Sequence, residues 1–497
     1  MASEMESSAG YEIVIGLEVH AQVLTASKMF CGCPAVYADT DPNSSTCPVC
    51  LGLPGALPVM NAAAVRLVLA TGLALGCSIP HYSKQDRKSY FYPDLPKGYQ
   101  ISQYDLPLCV DGCLRFLSGG EERAAGIIRV HMEEDTGRLL HRSTGTGIEE
   151  SLVDLNRSGV PLMEIVGEPD LRSPEEARDY LEALRQLLRY IGASTANMEE
   201  GAFRCDANVS VRRKGDPGLG AKVEIKNLNS FRAVQRALKF EEQRQSQALD
   251  AGRPILQETR GWVEDRGVTV GQRTKEHAHD YRYFPEPDLP PLKVGEATIA
   301  AVRAALPELP LARRRRFVGA YGLSESDAAL LTAEWPIADT FEMAVGSDPT
   351  PERARAAANW IINDLAGISA QRGAPADTLP ITAHQLRELL DMIDSRQITV
   401  RAAKELVVAL EPGESPRDGA VRLSLLVLDD HSAIVDAVEA VMAAFPEAVE
   451  DYRRGKQAAI GRLIGETMKR TGGRASPDLV RKELQAALAG GPAESRV

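Results

Sequence analysis

Hydrophobic and polar residues alternate over residues 11–23: Tyr11, Ile13, Ile15, Leu17 and Val19 fall on one side, and Glu12, Glu18, His20 and Gln22 on the other. A period of two is that of a strand with one buried and one wet face. The same pattern over 127–134, 162–166, 203–213 and 221–227 predicts four more strands. Helices are expected between them. Ser173-Pro174-Glu175-Glu176 reads as a helix start, with Ser as cap, Pro in the first turn and Glu three residues after the cap. Ala177, Tyr180, Leu181, Leu184, Leu188 and Ile191 follow at helical spacing, and Gly192 ends the run. Ser230 begins another helix, to about Leu249.

Residues 281–291 are Pro-rich and are expected to be extended, a boundary candidate. Beyond them the chain is rich in Ala, Leu, Glu and Arg, with helical periodicity and no convincing strand. The pattern predicts an α+β protein: an N-terminal cradle domain rich in antiparallel sheet over 1–294, an all-α region over 295–424 and a small helical tail domain over 425–497. The length of 497 residues fits roughly three domains.

A chain that is 44% hydrophobic and 25% charged is an ordinary globular one, which excludes a mostly disordered protein. The net charge of −12 means that the overall field does not draw it to nucleic acid. Any such binding needs a local basic patch, and the tail holds one: Arg453, Arg454, Lys456, Arg462, Lys469, Arg470, Arg474, Arg481 and Lys482 stand against Glu466 and Asp478. The first ten residues carry neither the basic and apolar regions of a signal peptide nor the Arg-rich character of a transit peptide. With no apolar run of about 18 residues, no membrane span is expected and the cytoplasm is the default compartment.

Disulfides are rare there, so the eight cysteines need another explanation. Cys31-Gly-Cys33 and Cys47-Pro-Val-Cys50 resemble two knuckles that together supply four thiolates to a closed, tetrahedral, structural zinc site. The alternative is four reduced thiols packed in one loop. Cys77, Cys109, Cys113 and Cys205 are scattered and read as small buried hydrophobes.

The polar strand faces carry the other chemistry. Glu18 and His20 share a face; His131 is followed by Glu133, Glu134 and Asp135; and Glu164 sits in the apolar run Leu162-Met163-Glu164-Ile165-Val166. A carboxylate in such a run is costly unless it binds a cation or a base. Arg204, Asp206, Asn208, Ser210 and Arg212 share another face, as do Lys222, Glu224 and Lys226. Carboxylates and a histidine on one sheet face suit a hard divalent cation, Mg²⁺ or Mn²⁺, while a solvated sheet face is the plainer alternative. Residues 86–94 mix basic, aromatic and acidic groups in a loop-like setting. Arg87 and Lys88 there suit phosphate oxygens, and the rings suit a base. No P-loop, G-x-S-x-G or H-E-x-x-H motif and no Gly/Ser-rich amidase signature is present.

The segments IGLEVHAQVLTASKMF, DRKSYFYPDLPKGYQISQYDLPL, HMEEDTGRLLH, DLNRSGVPLMEIV, EPDLRSPEEA, MEEGAFRCDANVSVR, EIKNLNSF and DYRYFPEPDLPPL, in that order, resemble the B-subunit family of the glutamyl/aspartyl-tRNA(Gln/Asn) amidotransferases. The tail run DYRRGKQAAIGRLIGETMK is similar too. No large insertion of the archaeal E-subunit kind is visible. The resemblance implies a heterotrimer with an amidase A subunit, which makes ammonia from glutamine, and a small C subunit. It implies that ATP phosphorylates the side-chain carboxylate of misacylated Glu-tRNA(Gln) or Asp-tRNA(Asn), and that channelled ammonia displaces the phosphate. By motif, Glu18, His20, Glu134 and Glu164 are then expected to bind Mg²⁺ and form the kinase site, with Lys88 and Arg87 toward the ATP phosphate and Asp206 and Glu224 as further groups of the cradle. Strand alternation puts Glu133, not Glu134, on the His131 side, so geometry alone leaves that pair open. Zinc at the cysteines is structural in this reading. Arg453, Arg454, Lys456, Lys469 and Arg470 are expected to grip tRNA by shape.

Overall fold

A computed structural model describes residues 10–143, 149–274, 281–347, 349–427 and 431–489. The stretch read above for targeting signals lies almost wholly outside them. The five expected strands are present, and three that the sequence pattern did not mark join them. In chain order they are β1 (Tyr11–Gln22), β2 (Cys109–Ser118), β3 (Glu121–Glu134), β4 (Pro161–Gly167), β5 (Phe203–Arg213), β6 (Val223–Leu228), β7 (Glu258–Val263) and β8 (Val268–Thr274), of which β2, β7 and β8 are the additions. They form one eight-stranded sheet in the order β8-β7-β6-β5-β1-β4-β3-β2. Every neighbouring pair is antiparallel except β6 and β7. A parallel pair needs a crossover, and helix α3 supplies it.

Helices α1 (Ala62–Ala74), α2 (Pro174–Tyr190) and α3 (Phe231–Asp250) accompany the sheet. The Ser173 side chain accepts from Glu176 N, and Ser230 caps α3 the same way at Ala233 N. Ile13, Ile15, Leu17 and Val19 of β1 join Leu181, Leu184 and Leu188 of α2 and Val234 and Leu238 of α3 in one buried core. The helices thus cover one face of the sheet and leave the polar residues of β1 on the other.

Two expectations are corrected. Residues 86–94 are not simply a loop. Asp86–Ser89 is a short strand, paired with Tyr99–Ser102 on one side and Phe284–Pro285 on the other. That pairing also draws the Pro-rich 281–291 segment into the N-terminal part, and the same core continues through Val294 and Ile299. Cys113 is exposed, unlike Cys77, Cys109 and Cys205. Asp111 takes φ 54°, which breaks the alternation of β2, so that Leu114 and Phe116 turn inward and Cys113 outward.

The chain divides into two compact units, between Ala312 and Arg313. Among the described residues the second unit is helical and holds two cores. One contains Phe317, Phe341, Trp360, Leu386 and Leu406, and the other Ile434, Val438, Leu463, Val480 and Leu484.

One buried acid of the first unit ties fold to pH. Glu241 on α3 is fully buried; it receives Arg244 Nε and Nη2 at 2.8 Å and 2.8 Å and lies 3.1 Å from Arg260 Nε. Burial opposes its charge, but the bonds from Arg244, Gln245 and Thr269 outweigh this and hold its pKa below the usual glutamate value. A depressed carboxylate stabilises the fold above its unfolded value of about 4.3, and the contribution is lost as pH falls through the lower folded value. Glu241→Gln is therefore expected to cost about 3 kcal/mol at neutral pH and to flatten the acid limb of the stability curve. Urea titrations of the full chain across pH check this, and an unchanged acid limb would count against it.

Candidate active site and cysteine loop

The sheet register brings the polar residues together. His20 lies opposite Arg204 on one neighbour and Glu164 on the other, Glu18 lies opposite Asp206, and His131 lies opposite Glu164. Because alternate residues share a face, strands β3, β4, β1 and β5 build one polar surface. His20 Nε2 is 3.5 Å from Glu164 Oε2 and 3.9 Å from Glu133 Oε2, and His131 Nε2 is 3.2 Å from Glu164 Oε2. Ligand atoms of His20, Glu133 and Glu164 all lie within 4.8 Å of one another, the spacing of a cation site with oxygen and imidazole ligands.

Lys88 reaches this cluster from the short strand Asp86–Ser89, with Nζ 3.1 Å from Glu133 Oε1 and 5.4 Å from the centre of the Tyr281 ring. Burial opposes its charge, yet Glu133 and Glu164 outweigh burial and hold its ammonium above the ordinary lysine value. Burial likewise opposes ionisation of Glu164, but His131 and His20 keep it well below the carboxylate range. Glu164 and Glu133 in turn raise the pKa of His20 against its own burial. The centre is a mutually dependent set of charges with a side open to Lys88.

Of the two adjacent acids that strand geometry left open, the structure brings Glu133 to His20 and Glu164. Glu134 points to the opposite side, where Lys97 Nζ pairs with its carboxylate and Ile101 N donates at 2.8 Å. Glu18 accepts from Asn208 Nδ2 at 2.9 Å. Asp206 is 2.6 Å from Lys226 Nζ, Glu224 is 3.2 Å from the same nitrogen, and Thr259 Oγ1 donates to Glu224 at 2.9 Å. These acids share the polar surface, Glu18 with an amide partner and Asp206 and Glu224 with one lysine between them. Arg87 is held by Glu286 at 2.7 and 2.8 Å and stacks 4.2 Å over Tyr99, so its guanidinium braces the short strand.

The sequence pattern places Asp135 and Arg204 on polar strand faces without a site role, and it does not mark Lys97. Asp135 is buried and 3.0 Å from Arg204 Nη2, beside the cluster. Charge parity with His131 was the one available signal for Glu133, and nothing periodic marks Lys97.

The Sγ atoms of Cys31, Cys33, Cys47 and Cys50 also lie within 4.8 Å of one another. Cys47 N donates to Cys50 Sγ at 3.1 Å, and Lys28 Nζ is 3.8 Å from the same sulfur. The Cys31 thiol, the Cys47 backbone and Lys28 bring the Cys50 thiol down to about 4, while burial pushes Cys33 up to about 11. Four sulfurs gathered at this spacing suit a thiophilic cation. In the tail, Arg453, Arg454, Lys456, Lys469 and Arg470 are all exposed. Arg454, Lys456 and Lys469 sit 2.7, 2.9 and 2.7 Å from Glu450, Asp451 and Glu466, surface pairs weak enough to exchange for phosphate.

Comparison with known proteins decides the family. Residues 13–300 match the family model described as the GatB/GatE catalytic domain, and residues 339–488 match the GatB domain. The chain belongs to the GatB/GatE family. It is 57% identical over 479 residues to the B subunit of the aspartyl/glutamyl-tRNA(Asn/Gln) amidotransferase of Thermomicrobium roseum, covering 96% of this chain and 99% of the relative. B subunits of the same description from Dehalococcoides mccartyi and a Roseiflexus species are 49% and 51% identical, each over 96% of this chain and 99% and 98% of the relative. Members of the GatB/GatE family thus match this chain across both compact units. No described helix is long and apolar enough to cross a membrane.

Proposed function

We propose that this chain is the subunit in which ATP phosphorylates the side-chain carboxylate of Glu-tRNA(Gln) or Asp-tRNA(Asn), and ammonia from glutamine then converts it to the amide. The observation that carries the reading is the His20, Glu133 and Glu164 cluster with Lys88 beside it, in a chain whose relatives are named amidotransferase subunits. A carboxylate is a poor acyl donor, because oxide leaves badly. Phosphorylation provides a good leaving group, but two anions must first be brought together.

His20, Glu133 and Glu164 would hold Mg²⁺, which when bound supplies the positive charge that screens those anions. Lys88 contributes a fixed ammonium at the same place. Glu18, Asp206 and Glu224 border the substrate on the polar surface, and Glu134 acts from the far side of its strand through Lys97. Arg87, committed to Glu286, supports Lys88 rather than gripping ATP itself. Cys31, Cys33, Cys47 and Cys50 would hold a structural Zn²⁺. Arg453, Arg454, Lys456, Lys469 and Arg470 would grip the tRNA backbone from a separate helical tail domain. The partners are an amidase A subunit and a small C subunit in a cytoplasmic heterotrimer, with ammonia passed through a channel.

The test is to co-express the chain with candidate A and C subunits and measure conversion of both misacylated tRNAs, with ATP and glutamine present or withheld. Conversion that needs both is the expected result, and it reports which substrate is used. A stable complex that binds tRNA but converts neither would leave a tRNA-binding scaffold as the reading.

A further inference from the structure

The cysteine loop does more than close on itself: it runs behind the acidic end of β3. Leu51 N donates to Cys47 O and Gly52 N to Val49 O, so the turn that holds Cys47 and Cys50 leads directly into Gly52. Gly52 has φ +65°, and a Cβ there would overlap Lys97 Cγ. The loop backbone is therefore the wall against which the Lys97 stem lies. On the other side of the loop, Ser158 Oγ donates to Cys50 O at 3.3 Å, and a Cβ on Gly159 would lie 3.5 Å from Cys50 Cβ and 3.9 Å from Glu134 Oε2. A cavity of about 90 Å³ between them is lined by Cys31, Cys50, Gly52, Lys97 and Glu134. Lys97 and Glu134 are 8% and 3% exposed, so neither is held in place by solvent.

We infer that the four-cysteine loop, when it holds a metal, is the positioning element that keeps Lys97 on Glu134, and thereby fixes the end of β3 that carries Glu133 into the active cluster. Without the metal, four thiols that repel or hydrogen-bond weakly replace one closed coordination sphere. The turn at Gly52 then loses its anchor, and the stem of Lys97 gains room. Glu134 is left with Ile101 N alone for a partner on that side, a poor arrangement for a buried carboxylate. Because the next residue back along the strand is Glu133, slack at Glu134 reaches the cluster through one peptide unit.

The inference rests on metal at the cysteines and not on the amidation reading, and its first readout is independent of activity. Zinc content of the purified full chain is measured before and after treatment with a thiol reagent that releases it. Hydrogen exchange is then followed at the Ile101 amide, which donates to Glu134, with the amides of Val234 and Leu238 in α3 as control. The expected result is exchange at Ile101 faster by about tenfold after zinc release, with α3 unchanged. Gly52→Ala is expected to give the same local rise while zinc stays bound. In the assembled enzyme, Gly52→Ala and Lys97→Met are each expected to lower amidation, with the double variant no worse than the single ones. A chain that binds no zinc, exchange at Ile101 that ignores zinc release, or an equal rise throughout α3 would each overturn the inference.

Discussion

Glu164→Gln is expected to lower ATP-dependent amidation by about 10³-fold, of the order seen when a preorganised charge is removed from a reaction centre, while the glutaminase activity of the assembled complex stays unchanged. Glutamine keeps the size of the side chain and its place in the run Leu162–Val166, so the core on the helix side is untouched. What disappears is the one carboxylate that touches both histidines, at 3.5 Å from His20 and 3.2 Å from His131. Three consequences follow together. The cation cluster loses a charged ligand, the two imidazoles lose their common anion, and Lys88 keeps only Glu133. Binding of Mn²⁺ to the full chain, measured by calorimetry, is expected to weaken in parallel. Amidation within fivefold of wild type would remove Glu164 from the reaction. Full loss of amidation with unchanged Mn²⁺ binding would keep it in the chemistry but exclude it as a ligand.

The parts of the fold that were legible in sequence were those with local causes. The alternation of residues 11–23 marks β1, and the Ser173-Pro174 start marks α2, because each pattern is set by neighbours within a turn or a strand. His20 and Glu164 were visible for a related reason: polar groups in apolar or alternating runs need an explanation. The short strand Asp86–Ser89 was not visible. It is polar, and it is extended because it pairs with segments far along the chain; Arg87 meets Glu286 from 199 residues away. No local pattern marks Lys97 either, since only the fold brings its stem under Gly52. The adjacent acids show the limit in small compass. Parity put Glu133 with His131, but the position of His20 and Glu164 on neighbouring strands was needed to turn that parity into a cluster.

Lys88→Met is expected to separate binding from turnover with opposite signs. The ammonium sits 3.1 Å from Glu133 and is 19% exposed, so it neutralises part of the acidic cluster when nothing else is bound. Removing it leaves Glu133 and Glu164 with the imidazoles and the field of Arg204, and a divalent cation then meets less competing charge. Mn²⁺ is expected to bind about tenfold more tightly, a modest figure because water reaches the group and screens it. Amidation is expected to fall by about 10³-fold, since the same ammonium is lost when charge builds on the transferring phosphoryl group. A residue that only shaped the pocket would move both quantities the same way, through a looser cluster. The discriminating measurement is therefore Mn²⁺ affinity and single-turnover ATP cleavage on one preparation of Lys88→Met. Tighter metal with slower cleavage supports a charge shared between cation and phosphate. Weaker metal with slower cleavage would make Lys88 a prop for Glu133, and unchanged cleavage would take it out of the reaction.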